Sequence, residues 1–209
     1  TGPGAAPGTY PVGEYGLLLR TTDGGADWSR ISGFDTMGML LSIDFADADT
    51  GYIAGFARWH EGRVWRTFDG GASWDTVFAA YGSGPCDVQF PHGTDTGHVV
   101  DRYNMCVWRT TDGGDSWVQS PTLGGYMTAI DFPTPQVGYV VGEGGVVFKT
   151  TDAGATWQYI ETYPFDWTDV CFPAGPDTGF ICGGNGTVQK TTDGGANWVD
   201  QNFLPDVSP

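Results

Sequence analysis

Asp44 and Asp131 stand at the same place in two similar short runs, each between an isoleucine and a phenylalanine. Two carboxyl groups at a suitable separation are the minimum catalytic set of a glycoside hydrolase. Two further runs of this kind carry Gln89 and Cys171 at the matching place, so the pattern does not itself require an acid there. We therefore expect hydrogen-bonded polar groups that line a channel, and the sequence favours a non-enzymatic protein while leaving hydrolysis open.

A second group of residues suited to binding occupies segments whose lengths vary along the chain. The longest runs from 56 to 63, and the segments 101–105 and 163–167 offer similar residues. Loops that vary over a rigid scaffold commonly carry binding sites, and aromatic rings beside Arg, Asn and Asp suit a carbohydrate or a protein loop. The alternative is that these rings pack the loops against one another. The candidate binding residues are Arg58, Trp59, His60, Glu61, Arg102, Tyr103, Asn104 and Trp167.

The four cysteines predict disulfides rather than a metal centre. No C-x-x-C pair occurs, and the three histidines are not spaced from the cysteines as metal ligands are. If Phe172 pairs with Ile181, Cys171 lies opposite Cys182 on the adjacent strand at a bridging distance. Cys86 and Cys106 are then left for each other, although their strands are not neighbours. Disulfides indicate an oxidising compartment, and we expect no metal and no cofactor.

These residues must be positioned by a repeated element, the pattern Thr-x-Asp-[Gly/Ala]-Gly-x-[Asp/Ser/Thr/Asn]-Trp, here called the repeat turn. It occurs at 21–28, 67–74, 110–117, 150–157 and 191–198, in steps of 40 to 46 residues. That period is the size of one four-stranded propeller blade. The Asp accepts backbone N–H groups, the Gly after it adopts positive φ, and the Trp buries its indole. The expected structural residues are Asp23, Trp28, Asp69, Trp74, Asp112, Trp117, Asp152, Trp157, Asp193 and Trp198.

The segments between the turns predict three further strands per blade. A short alternating run such as Ala129–Phe132 predicts an inner strand, and runs such as Gly138–Gly142 and Val146–Lys149 predict the next two. The chain is therefore predicted to be an all-β propeller of five blades over residues 10–209, preceded by a flexible Gly/Pro tether at 1–9. The first blade lacks an inner strand, which leaves open a short closing strand from the tail or a place in a larger propeller or assembly.

The repeat turn resembles the Asp-box, or bacterial neuraminidase repeat, of β-propellers. The longer form Arg-Thr-Thr-Asp-Gly-Gly-x-x-Trp, preceded by a Gly-Tyr-x-x-Gly strand, is most similar to photosystem II stability/assembly factor-like propellers. The resemblance covers residues 10–199. It implies the fold but spans several functions, because Asp-box propellers include sialidases, xyloglucan-active hydrolases, sorting receptors and assembly factors.

The residue before each repeat turn is basic and supplies five of the nine positive charges of the chain. A structural role, such as pairing with an acid of the next blade, is one interpretation. The resemblance implies another, since an arginine cluster on the assembly-factor propellers is implicated in partner binding. The five residues are Arg20, Arg66, Arg109, Lys149 and Lys190.

Charge and composition limit the class of partner. A net charge of −16 disfavours nucleic acid, whose binding depends on Lys and Arg. No apolar run is long enough to cross a bilayer, so membrane insertion is not expected. The sequence predicts a secreted or surface-exposed scaffold or assembly module that binds a protein or itself. The alternative is a carbohydrate-binding or glycoside-hydrolase propeller that uses its variable loops.

Overall fold

The computed structural model describes residues 16–34, 38–57 and 61–201. These residues form five antiparallel sheets in chain order, and each sheet contains one repeat turn. The prediction of an all-β chain divided into five repeated units is thereby confirmed. The proposed tether at 1–9, the second strand expected near residues 10–13 and the tail at 202–209 lie outside the described residues.

Strands are numbered in chain order, and each sheet pairs consecutive strands. Sheet one contains β1 (Leu18–Arg20) and β2 (Ser29–Ile31). Sheet two contains β3 (Leu40–Phe45), β4 (Gly51–Ala57), β5 (Glu61–Thr67) and β6 (Asp75–Tyr81). Sheet three contains β7 (Pro85–Gln89), β8 (Gly97–Asp101), β9 (Cys106–Thr110) and β10 (Val118–Gln119).

The last two sheets follow the same order. Sheet four contains β11 (Met127–Asp131), β12 (Gly138–Gly142), β13 (Val147–Thr150) and β14 (Gln158–Ile160). Sheet five contains β15 (Trp167–Cys171), β16 (Gly179–Gly183), β17 (Val188–Thr191) and β18 (Val199–Asp200). Short 3₁₀ turns at Glu143–Gly145 and Gly184–Gly186 join the second and third strands of these two sheets.

The core is divided among the spaces between successive sheets. We call the face of a sheet that is directed to the next sheet along the chain its rear face, and the opposite face its front face. On the rear face of sheet two, Ala54 and Val64 contact Val88 and Phe90 of sheet three. Equivalent apolar clusters lie between the other successive sheets. Burial between sheets therefore fixes their order around the molecule.

The disulfide prediction is wrong, because all four cysteines are free thiols. In sheet five Cys171 pairs with Phe180 and Cys182 pairs with Asp169, after an irregularity in β15 between Trp167 and Asp169. The two cysteines are therefore diagonal neighbours, too far apart for an S–S bond.

The second predicted disulfide fails for a different reason. Cys86 lies in β7 and Cys106 in β9, with β8 between them. Strands two places apart are separated by about 10 Å, which no S–S bond spans. The thiols give no support to an oxidising compartment, and a location outside the cytoplasm stays a prediction.

Candidate functional site

The repeat turn closes each sheet through contacts within its own eight residues. In sheet three, the Thr110 hydroxyl donates to the Asp112 carboxylate at 2.7 Å. The N–H and the hydroxyl of Ser116 donate to the same carboxylate at 2.9 and 2.6 Å. These bonds, the Ser116 hydroxyl first among them, lower the pKa of Asp112 to about 2. The carboxylate therefore serves as an acceptor that holds the turn.

The other turns use their acid and indole in the same way. The residue four positions after each aspartate donates to it and makes the largest contribution to lowering its pKa; these aspartates are Asp23, Asp69, Asp152 and Asp193. The indole N–H of Trp28, Trp74 and Trp117 donates to the second glycine carbonyl of its own turn at 3.1 Å. The buried N–H of Trp157 and of Trp198 has no acceptor among the described residues.

Four of the five basic residues before the turns lie against the repeat turn of the next sheet. Arg66 donates to the Gly113 carbonyl at 2.6 Å and forms an ion pair with Asp115 at 2.8 Å. Arg109 and Lys149 donate, both at 2.7 Å, to the equivalent turn carbonyls of sheets four and five, those of Ala153 and Gly194. Arg20 lies beside Gly70, and Lys190 lies over the Phe180 ring at 5.6 Å. Three of the five thus join adjacent sheets.

An aromatic residue in the second strand of sheets two to four completes each of these contacts. Its ring stacks on the inner-strand phenylalanine of the next sheet; the pairs are Tyr52–Phe90 (3.4 Å), His98–Phe132 (3.9 Å) and Tyr139–Phe172 (3.8 Å). The Tyr139 hydroxyl donates to the Gly194 carbonyl, which Lys149 also contacts. His98 is buried, and burial lowers its pKa to about 4.

The inner-strand acids are occupied by the backbone of the next sheet. Asp44 accepts the N–H of Phe90 at 2.6 Å, and Asp131 accepts the N–H of Phe172 at the same distance. Gln89 stands between them and donates to Asp131 at 3.1 Å. Each carboxylate thus holds the backbone of the next sheet through one of its two oxygens. The two acids form links between sheets, and their placement along a channel stays a prediction.

Asp87 is a titratable residue that sequence reasoning missed. Burial, reinforced by the neighbouring Asp169, raises its pKa to about 6, although Ser42 and the N–H of Ile130 donate to it at 2.6 and 2.9 Å. Its sequence context, before a buried valine, resembles that of other inner-strand polar residues. Only the packing of three sheets around it distinguishes it.

The loop that bears Arg102, Tyr103 and Asn104 lies at the edge of the sheets opposite the repeat turns, here called the loop face. Asp101 anchors this region: it accepts the Ser83 hydroxyl at 2.6 Å, the Gly84 N–H at 2.8 Å and the Trp108 indole at 3.0 Å. Asn104 donates to it through both its backbone and its side chain. Burial disfavours the charged form, but these bonds outweigh it and lower the pKa of Asp101. Asn104 is therefore part of the support.

Arg102 and Tyr103 project from the loop that Asp101 holds. Arg102 forms an ion pair with Glu143 of sheet four, and Glu143 in turn donates its N–H to the Tyr126 carbonyl at 2.9 Å. The Tyr103 ring lies 5.7 Å from that of Phe56 and remains half-exposed. Two loops of adjacent sheets are thereby fixed to each other beside exposed aromatic rings.

The remaining predicted loop residues have other positions. Glu61 pairs with Arg63 of the same strand at 2.9 Å. Trp167 is wrong as a binding residue: it is fully buried, packs against Phe165 and donates its indole N–H to Thr162 at 3.1 Å. It opens β15, so its ring enters the core instead of the loop surface. Arg58, Trp59 and His60 lie outside the described residues.

Exposed tyrosines extend this surface across sheets two to five. They are Tyr81, Tyr103, Tyr126 and Tyr163, with exposed fractions of 82, 47, 48 and 59%. The loop bearing Tyr163 is tied to the Glu143–Gly145 turn through the Gly145 N–H, which donates to the Phe165 carbonyl at 2.7 Å. We call the four exposed tyrosines and the Arg102–Glu143 ion pair together the tyrosine arc. Sequence reasoning missed Tyr126 and Glu143, whose contribution depends on neighbours in other sheets.

Two concave regions lie at the opposite edge, near the repeat turns. One of about 240 Å³ is lined by Asp44, Gln89, His92 and the prolines of the adjoining loops. The other, of about 640 Å³, lies between sheets two and three beside Arg66 and Phe68.

In the described residues no group of three His, Cys, Asp or Glu side chains is placed to hold a metal ion. No helix of the described part is long and apolar enough to cross a membrane.

Comparison with solved structures identifies the architecture as a β-propeller. YCF48 bound to a D1 peptide is 22% identical with a TM-score of 0.65, over 82% of this chain and 55% of that one. YCF48 from Cyanidioschyzon merolae is 20% identical with a TM-score of 0.63, over 83% of this chain and 59% of that one.

A glycoside hydrolase has the same fold. The GH74 xyloglucanase from Xanthomonas campestris is 20% identical with a TM-score of 0.71, over 91% of this chain and 34% of that one. This chain therefore spans a little over half of the YCF48 chains and a third of the xyloglucanase. Neither a family model nor a curated protein matches it. At these identities the likeness establishes the fold alone.

Proposed function

We propose that this protein is a non-enzymatic interaction module that binds a protein partner through the tyrosine arc. The proposal is based on a row of exposed tyrosine rings. The loops that bear these rings are held together across sheets by hydrogen bonds and an ion pair. Tyrosine and arginine are the side chains that most often dominate protein interfaces, because they bury a large area at a small cost in conformational entropy.

The frame beneath the arc favours binding over chemistry. Asp101, which supports the loop of Arg102 and Tyr103, is fully buried and hydrogen-bonded. The inner-strand carboxylates Asp44 and Asp131 are taken up by backbone N–H groups. The YCF48 structure with a bound D1 peptide supports a peptide as the class of partner.

The test is selection of peptides displayed on phage against the immobilised chain, followed by affinity measurement with the enriched peptides. Tyr103→Ala and Tyr126→Ala are each expected to weaken binding at least about tenfold, the scale of an interface hot spot. Tyr159→Ala is the matched control, because Tyr159 is half-exposed on β14, away from the loop face. Equal losses in all three variants, or no enriched peptide, would contradict the proposal.

A carbohydrate ligand is the second candidate, favoured by the likeness to a xyloglucanase and by the exposed tyrosines themselves. Xyloglucan and a glycan array are the probes. Glycan binding that Tyr103→Ala abolishes would replace the protein partner with a carbohydrate. Release of oligosaccharides from xyloglucan, lost in Asp131→Asn, would establish a hydrolase.

A further inference from the structure

The contact between successive sheets is built the same way three times. The rear face of each of sheets two to four places an aromatic ring against the repeat turn of the next sheet. A basic side chain of the same face donates to a carbonyl of that turn, that of the residue after the aspartate. Tyr139 and Lys149, for example, meet at the carbonyl of Gly194. Beside them, paired small apolar residues such as Val141 and Val147 are completely buried.

The rear face of sheet five carries the same kinds of residue. Phe180 occupies the aromatic position, Lys190 the cation position, and Cys182 with Val188 the apolar pair. All four are partly exposed, whereas the apolar residues of the other rear faces are buried. Among the described residues no apolar cluster includes Phe180, Cys182 or Val188. This face retains the chemistry of a sheet-to-sheet contact.

The front face of sheet one offers the complementary half. Its repeat turn places Gly24 and Gly25 at positive φ beside Trp28, as the other turns do. Leu19 and Trp28 have exposed fractions of 46 and 59%. In sheet two the residue equivalent to Leu19 is Trp65, which is buried. Among the described residues no hydrogen bond or ring contact joins this face to sheet five.

We propose that the rear face of sheet five docks on the front face of sheet one of a second copy of this chain. The Phe180 ring would cover the second turn glycine, Gly25, next to Trp28. Lys190 would donate to the carbonyl of Gly24, the position that Arg66, Arg109 and Lys149 contact elsewhere. The interface continues one already present three times within the chain, and one molecule displays both of its halves. This proposal does not depend on the tyrosine arc.

The inner strand of sheet five also agrees with a second copy of this chain as the partner. In sheets two to four the inner strand offers Asp44, Gln89 and Asp131 to the N–H of the next inner-strand phenylalanine. The equivalent residue in sheet five is the exposed Cys171, which is a weak acceptor. The described part of sheet one contains β1 and β2 alone.

The interface is head-to-tail, with different surfaces on the two copies, so it closes into a ring or propagates. This property allows a complementation test by light scattering and sedimentation. The chain itself is expected to assemble in a concentration-dependent way. Phe180→Glu and Leu19→Glu each alter one half of the interface and are each expected to abolish ring closure and chain growth. Val118→Glu, at an exposed site of β10, is the matched control and is expected to assemble normally.

Mixing the two variants provides the decisive result. A Phe180→Glu copy keeps its sheet-one face, and a Leu19→Glu copy keeps its sheet-five face. An equimolar mixture is therefore expected to form a one-to-one dimer, whereas each variant alone stays monomeric. Unchanged circular dichroism and unfolding midpoints establish that both variants fold. A chain that is monomeric at every concentration, whether open or closed on itself, would overturn the proposal, and so would a mixture that fails to dimerise.

Discussion

The carbonyl of Gly194 gives the sharpest test of how sheets are joined, because two side chains of sheet four donate to it. Tyr139 donates at 3.0 Å, with the Pro176 carbonyl at the same distance from its hydroxyl, and Lys149 donates at 2.7 Å; Gly194 is buried. Tyr139→Phe leaves the ring stacked on Phe172 and removes only the hydroxyl. Since Lys149 still satisfies the carbonyl, we expect this change to cost about 1 kcal/mol, the net value of one hydrogen bond.

The second substitution is Lys149→Met, which keeps the length of the side chain and removes its donor. We expect it to cost about 1 to 2 kcal/mol alone, as for a bond to a charged donor. In the double variant the carbonyl has lost both side-chain donors and is left buried, which adds about 1 to 3 kcal/mol. The two changes are therefore expected to be non-additive, with a coupling energy of at least about 1 kcal/mol.

The assay is urea unfolding followed by tryptophan fluorescence, with the free energy of unfolding compared across the four members of the cycle. Tyr159→Phe is the matched control, because that ring is half-exposed on β14, and we expect it to be neutral. Strict additivity of Tyr139→Phe and Lys149→Met would refute the shared-acceptor argument. A loss in Tyr159→Phe equal to that in Tyr139→Phe would refute it as well.

Two further predictions concern the core and the turns. Trp167→Ala should destabilise the fold by about 3 to 5 kcal/mol, as for other buried aromatic residues; an unfolding midpoint equal to that of the unaltered chain would contradict the core assignment. The pKa values of Asp112, Asp152 and Asp193 are lowered to about 2, so their stabilisation is present above the ordinary value of 3.8 and is lost as the pH falls through about 2. Acid titration followed by circular dichroism should show this loss, and Asp112→Asn should make it shallower; an unchanged titration in that variant would contradict the prediction.

Contacts that lie within one repeat turn were readable from the sequence. The bonds from Thr110 and Ser116 to Asp112 join residues at most four positions apart, so the spacing of the pattern already contains them. The alternation of strands such as β12 and β13 likewise reflects burial on two sides of one sheet. For these reasons the all-β class, the five units and the places of the strands followed from the residues.

The hydrogen bonds between sheets could not be predicted from the sequence, because their acceptors are backbone atoms. The carbonyls that Arg66, Arg109 and Lys149 contact lie 44 to 47 residues away and carry no side-chain signature. The sequence identified the basic position but suggested either an acidic partner or a binding cluster. The structure shows mainly carbonyl acceptors, and one acid, Asp115, beside the first of them.

The sequence by itself determined the repeat and the turn chemistry, since both depend on neighbours along the chain. Only the tertiary structure decided the register of β15, which separates Cys171 from Cys182, and the burial of Trp167. It also decided which tyrosines share one surface. Ile181 pairs with Val170 and not with Phe172, a difference of two residues that alternation along a strand cannot reveal. The packing of sheets distant in the chain decides which rings meet solvent.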